Sequence, residues 1–157
     1  MAILERLAET GDDWQAIFLV SRRPLDGSML ASQQSAFIPL PVQPLTRRPW
    51  AWPAWGLNWL ASAKQVRCLY ERHRSAVVVC TGGFVSGPAV IEANAMGMPI
   101  ALVNLDAVVG RANRLLARRA SVVFSSYPIN AWPKARKIGV PLRRNVLGRG
   151  DRATACS

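Results

Sequence analysis

The sequence predicts an α/β fold, a parallel sheet with helices on both faces, and three observations predict it. Three short apolar runs, Ala76 to Cys80, Pro99 to Val103 and Ser121 to Ser125, carry the β-branched residues that favour strands. Helical patterns at Ser86 to Met96 and Gly110 to Arg119 separate them, and strands alternating with helices of this length make βαβ units, whose crossovers force parallel neighbours. A chain of 157 residues, half of them hydrophobic, suits one compact domain and excludes disordered or fibrous classes.

Taken in order, Ile3, Leu4, Leu7 and Ala8 form one apolar helical face, with Gly11 where a C-terminal cap belongs. Gln15 to Val20 is a short strand pattern closed by Ser21-Arg-Arg-Pro24, and Ala36 to Leu40 is a second, weaker one. Residues 26 to 35 between them fit a helix. Pro41, Pro44, Pro49 and Pro53 punctuate the next stretch, after which Leu57 to Arg72 has no internal breaker and predicts a helix. Beyond the three central strands, Lys137 to Val140 predicts a last short one. A doubly wound sheet ordinarily opens with a strand and its phosphate-facing loop, yet this sequence opens with a helix. A sheet without that strand, normally a central one, would leave edges and apolar surface open, which predicts an unstable or partner-dependent domain.

Charge is distributed unevenly. Residues 1 to 46 carry a net −2 and residues 47 to 157 a net +13, so the basic surface belongs to the second part. Of 20 Lys plus Arg, 17 are Arg, whose planar fork grips phosphate bidentately; phosphate-bearing partners such as nucleic acid, phospholipid or pyrophosphate follow. Cys68, Cys80 and Cys156 form no close pair and suit a reducing compartment. No unbroken apolar stretch has the length of a spanning helix or the form of a signal peptide, so membrane contact is expected to be peripheral.

The most informative segment is Val77-Val-Val-Cys-Thr-Gly-Gly-Phe-Val-Ser-Gly-Pro88, an apolar strand entering a glycine turn that opens a helix. Glycine lets the backbone approach a ligand there, and the free N–H groups of a first helical turn favour an anion; the alternative is a plain tight turn with Pro88 in the first helical turn. The segment is neither a Walker A loop nor the dinucleotide fingerprint. Arg47-Arg-Pro-Trp-Ala-Trp-Pro-Ala-Trp-Gly-Leu-Asn-Trp59 sets Trp50, Trp52, Trp55 and Trp59 beside Arg47 and Arg48. Trp favours a membrane interface and Arg favours anionic headgroups; the alternative is a buried aromatic helix start. His73 has no second His or Cys at ligand spacing and fits a solvated helix end, Arg118-Arg119 fits a solvated face, and Ser86 lacks the context of a hydrolase nucleophile.

Four ordered blocks, Thr81-Gly-Gly-Phe-Val-Ser-Gly-Pro88, Met96-Gly-Met-Pro-Ile100, Gly110-Arg-Ala-Asn-Arg-Leu-Leu-Ala-Arg118 and Gly139-Val-Pro-Leu-Arg143, resemble the N-terminal half of the MurG-like enzymes of glycosyltransferase family 28. The firm likeness spans residues 76 to 144. It implies a Rossmann-like domain, half of a GT-B fold, over residues 1 to 144, with 145 to 157 a tail or the start of an interdomain linker. It implies acceptor binding for transfer of N-acetylglucosamine from UDP-N-acetylglucosamine to a polyprenyl-diphosphate sugar of the lipid I type. The donor would be held by a C-terminal domain or partner chain, so the domain alone is expected to be inactive. No metal and no cofactor are implied, because the chemistry would be electrostatic positioning of a diphosphate. By resemblance, Thr81, Gly82, Gly83, Ser86 and Gly87 face the acceptor diphosphate, and Asp106, Asn113 and Arg143 lie on the substrate side. The Arg47 to Trp59 patch is the membrane-associating segment, and the location is the cytoplasmic face of the cell membrane.

The sequence departs from the family pattern at three places. The family's first glycine-rich loop, with its His, would precede Met1. Its His-Glu-Gln-Asn stretch corresponds to Val103-Asn-Leu-Asp106, so Asp106 stands in place of an Asn, and Val140 replaces the Asn of its Gly-Asn-Pro block. A second reading from another class is a non-catalytic basic module for a membrane surface or nucleic acid, although no helix-turn-helix, zinc-finger or RNA-recognition signature is present.

Overall fold

Two short parallel sheets share one apolar core. The computed structural model describes residues 2–11, 14–23, 35–130 and 132–141. The chain divides into a unit of Ile17–Ile138 and a smaller unit of Met1–Ala16 with Gly139–Ser157. In the smaller unit, α1 (Ala2–Leu7) runs into a 3-10 turn that Gly11 ends in the left-handed region at φ 82°, as the sequence predicts. Arg6 and Glu9 pair at 3.3 Å on its exposed side.

In the larger unit, β1 (Phe18–Ser21) pairs in parallel with β2 (Phe37–Leu40). The expected helix at 26 to 35 falls almost wholly outside the described residues. A 22-residue helix, α2 (Trp52–His73), follows, then β3 (Val78–Cys80), α3 (Ser86–Ala95), β4 (Ile100–Asn104), α4 (Arg111–Ala117), β5 (Val122–Ser125) and β6 (Arg136–Lys137). The second sheet has the order β3-β4-β5-β6, parallel throughout, with Cys80 opposite Leu102, Leu102 opposite Val123 and Asn104 opposite Ser125.

Two boundaries differ from expectation for physical reasons. Helix α2 begins five residues before Leu57, because Pro53 sits in its first turn, where a missing N–H removes no hydrogen bond. The proline there starts the helix instead of ending a loop. The last strand is Arg136–Lys137 and not Lys137 to Val140, since only those two residues stand opposite the end of β5.

The core lies between the sheets and the α2–α3 pair. Leu40, Val66, Val90 and Leu102 are wholly buried, with Ile100 and Ala93 beside them. Burying such side chains stabilises by about 1.5–3 kcal/mol each. The two helices touch closely at one point: a side chain at Gly87 would collide with the Trp59 ring, so the glycine is what lets α3 approach α2. The Tyr70 hydroxyl donates to the Ala89 carbonyl at 3.1 Å across the same contact. Arg67 reaches Glu71 at 3.2 Å and Glu92 at 3.8 Å on the exposed rim, where ion pairs contribute little. Among the described residues no helix is long and apolar enough to cross a membrane.

Leu102 is fully buried in β4, whereas Leu57 on α2 is 69% exposed. Leu102→Ala is expected to cost about 3 kcal/mol in urea unfolding and Leu57→Ala less than about 0.5 kcal/mol. A pH dependence follows from two buried acids. Burial pushes the Cys80 thiol up from 9.0 to about 11. Tyr70 is also raised above its ordinary 10.0, by burial first and then by the nearby Cys80 and Glu92 charges. Both groups fold neutral and ionise more readily when unfolded, so their contribution is complete below pH 9 and is lost as pH climbs toward 11 and beyond. Alkaline urea titrations are expected to show this decline, and Cys80→Val to flatten it between pH 9 and 11.

Candidate functional site

The carboxyl ends of β3, β4 and β5 converge on the glycine turn. Leaving β3 at Cys80, the chain passes Thr81 and takes left-handed conformations at Gly82 (φ 99°) and Gly83 (φ 80°) before α3 begins at Ser86. These angles disfavour any side chain, which accounts for the paired glycines. The Ser86 hydroxyl donates to the Gly82 carbonyl at 2.7 Å and closes the turn over the head of the helix. No side chain caps α3; in its first turn the Gly87 N–H donates to the Phe84 carbonyl at 3.3 Å. Pro88 is buried within that turn and removes one N–H that had no partner in the helix.

Behind the turn lies a buried polar network. The Asn113 amide, on α4, fills the space where a Gly82 side chain would stand. Its Nδ2 donates to Asn104 Oδ1 at 3.0 Å, and Asn104 Nδ2 donates to the Asp106 carbonyl at 2.7 Å and to Ser125 Oγ at 3.4 Å. Ser125 Oγ in turn donates to the Tyr127 carbonyl at 2.8 Å. Asn104, Ser125 and Asn113 are each less than 5% exposed. The neighbouring Ser126 Oγ is buried with no hydrogen-bond partner among the described residues. From the end of β1, Arg23 sets its guanidinium 5.7 Å from the centre of the Phe84 ring, within cation–π range of the turn.

Of the residues singled out from sequence, Thr81, Gly82, Gly83, Ser86, Gly87 and Asn113 are brought together here. Asp106 joins through its carbonyl while its side chain is exposed. Arg143 lies outside the described residues. The tryptophan segment divides. Trp50 and Trp52 are exposed beside Arg47 and Arg48, while Trp55 and Trp59 are half-buried, ring centres 5.4 Å apart. Trp55 donates to the Gln43 carbonyl at 3.0 Å, and Trp59 packs on Gly87. His73 is an exposed helix end, as expected. Sequence reasoning missed Arg23, Asn104 and Ser125. Asn104 and Ser125 end apolar strand patterns, a position at the carboxyl edge that could have marked them.

A parallel α/β sheet whose glycine turn opens at the carboxyl ends of its strands defines a Rossmann-like domain. Residues 1–125 match the Glycosyltransferase family 28 N-terminal domain, and the chain belongs to that family. Three curated relatives carry the name UDP-N-acetylglucosamine--N-acetylmuramyl-(pentapeptide) pyrophosphoryl-undecaprenol N-acetylglucosamine transferase. The one from Cronobacter sakazakii is 38% identical over 54% of this chain and 23% of its own length. That from Rhodospirillum centenum is 42% identical over 56% and 25%, and that from Shewanella pealeana 35% identical over 62% and 27%. The chain thus spans about a quarter of the length of these relatives. The crystal structure of Acinetobacter baumannii MurG matches with a TM-score of 0.71 over 87% of this chain and 39% of that one, at 23% identity, a likeness of fold.

Gly82 and Gly83 differ in what a side chain would meet. Gly83 opens to free space and carries only the left-handed penalty of about 1–2 kcal/mol, whereas Gly82 carries that penalty and the collision with Asn113. Gly82→Ala is therefore expected to destabilise more than Gly83→Ala. In a double-mutant cycle, Asn113→Ala should recover the excess and leave the backbone penalty.

Proposed function

We propose that this chain is an acceptor-binding domain for a polyprenyl-diphosphate sugar of the lipid I type, in transfer of N-acetylglucosamine from UDP-N-acetylglucosamine. The observation that carries this reading is the Gly82-Gly83 turn at the head of α3, in a family 28 chain whose curated relatives are named for that transfer. The paired left-handed glycines leave the loop bare for close approach of a diphosphate, and Arg23 brings a cation to the same loop. Thr81, Gly82, Gly83, Ser86 and Gly87 form the diphosphate cradle. Asn113 holds the cradle in shape from behind, while Asp106 and Arg143 belong to the substrate side. The domain of residues 1–144 positions the acceptor, and the donor is held by a C-terminal domain or a partner chain. Positioning a diphosphate by backbone and Arg contacts is an electrostatic task that asks for no metal.

A lipid acceptor brings the domain to a bilayer. Trp50, Trp52, Leu57 and Leu60 are more than half exposed at the start of α2, with Arg47 and Arg48 beside them. Such surface is costly in water and favourable at an anionic interface, which supports a peripheral location on the cytoplasmic face of the membrane. In flotation assays the chain is expected to bind liposomes carrying a polyprenyl-diphosphate sugar in preference to matched anionic liposomes, and to keep that preference at raised salt. Gly83→Val should remove the preference while leaving bulk anionic binding, and the Trp50→Ala, Trp52→Ala pair should weaken both. Equal, salt-sensitive binding to the two liposomes would sink the acceptor reading.

A further inference from the structure

The segment leaving β1 is held at its root. Ser21, the last residue of the strand, is buried, and its hydroxyl accepts the Arg23 N–H at 3.3 Å, a serine turn of two residues. Pro24 follows in sequence, and the residue before a proline is confined to extended conformations. Arg23 therefore leaves the strand in a narrow range of directions, and its guanidinium comes to rest over the Phe84 ring, 5.7 Å from the centre. Among the described residues it is the one cation set over an aromatic ring.

Phe84 is a fixed platform for that cation. Its ring is half-buried and packs against the core, and its carbonyl accepts the Gly87 N–H at 3.3 Å. The preceding residue is Gly83, where a side chain would meet nothing within 4 Å. Fork and glycines thus lie along one short stretch of chain, on the open side of the turn. An aromatic ring attracts the charge of a guanidinium but takes no full hydrogen bond from it, so the N–H donors of the fork remain for an oxygen ligand. No carboxylate answers them: among the described residues the ion pairs belong to Arg6 and Arg67, and Arg23 is exposed. As a stabilising contact alone, an exposed cation–π pair contributes little.

We infer that Arg23, held over Phe84, binds the second phosphoryl group of a diphosphate ester and makes the site select diphosphate over monophosphate. The bare backbone of Gly82 and Gly83 admits one phosphoryl group closely, and the guanidinium fork takes oxygens of the other. A monophosphate ester engages only one of these two halves. The fork matters beyond its charge, because a planar guanidinium both stacks on a ring and donates two parallel hydrogen bonds, whereas an ammonium is a point charge. This role rests on the acceptor reading and adds to it a binding residue and the basis of a selectivity.

Flotation of the full chain with three liposomes tests it: one carrying a polyprenyl-diphosphate sugar, one the matching polyprenyl-monophosphate sugar, and one anionic phospholipid alone at equal surface charge. The expected preference for diphosphate over monophosphate is about tenfold or more, the worth of one charge-assisted pair of hydrogen bonds. Arg23→Gln should bring that ratio close to one, with a melting temperature near that of the unaltered chain because the residue is exposed. Arg23→Lys should recover only part of the ratio, and Phe84→Leu, which keeps the arginine and removes its platform, should lower it. Arg22→Gln removes an equal charge one residue away and should leave the ratio unchanged. A ratio that survives Arg23→Gln, or that falls equally in Arg22→Gln, would overturn the role of Arg23 while the acceptor reading stands. Full recovery with lysine would overturn the fork. An unaltered chain that binds the diphosphate sugar no better than anionic phospholipid would sink the acceptor reading, and the role of Arg23 with it.

Discussion

The buried amide of Asn113 is the constraint on which the carboxyl edge of the sheet depends. It stands in the volume of a side chain at position 82, so the turn leaving β3 can exist in this form only with glycine there. Asn113 is itself fixed by Asn104 at the end of β4, and Asn104 by Ser125 at the end of β5. The register makes this possible, because Asn104 and Ser125 are partners across β4 and β5. Buried hydrogen bonds are strong and costly to leave unmade, so four elements are held to one geometry.

The network is neutral, and its neutrality follows from residue 104. Where the family pattern has Glu, this chain has Asn. Asn both donates and accepts: its Nδ2 reaches the Asp106 carbonyl and Ser125 Oγ while its Oδ1 takes the Asn113 proton. An ionised carboxylate at a wholly buried position could accept from Asn113 but could give nothing to the Asp106 carbonyl, and it would carry a desolvation cost. The turn is therefore backed by amides and hydroxyls, and the cation brought to it, Arg23, comes from the far sheet.

Much of the α/β pattern was legible in the sequence because periodicity and glycine are local signals. The runs around Val78–Cys80, Ile100–Asn104 and Val122–Ser125 end within two residues of expectation, and the glycine turn lies where strand-Gly-Gly-helix places it. The start of α2 was not legible, since a proline inside the first turn of a helix and a proline ending a loop look alike along the chain. The polar network was legible only in part. Asn113 belongs to a motif, but Asn104 and Ser125 are single polar residues closing apolar runs, and only pairing across β4 and β5 unites them. Arg23 reaches Phe84 across 61 positions of sequence, which no local pattern encodes.

The tryptophan segment shows how composition divides into two roles once a helix has formed. Four rings in ten residues look like one patch, but a helix sends side chains to different sides, and Trp59 comes to face α3. There its ring needs the bare backbone of Gly87, as a bulkier residue would push the helices apart. Gly87 is one residue past Ser86, whose hydroxyl closes the glycine turn. The contact that seats α2 on α3 is thus one residue from the turn itself. Packed interfaces move as units because interiors are dense. Whatever engages the exposed rings of Trp50 and Trp52 acts on a rigid helix whose inner face already holds the head of α3 in place.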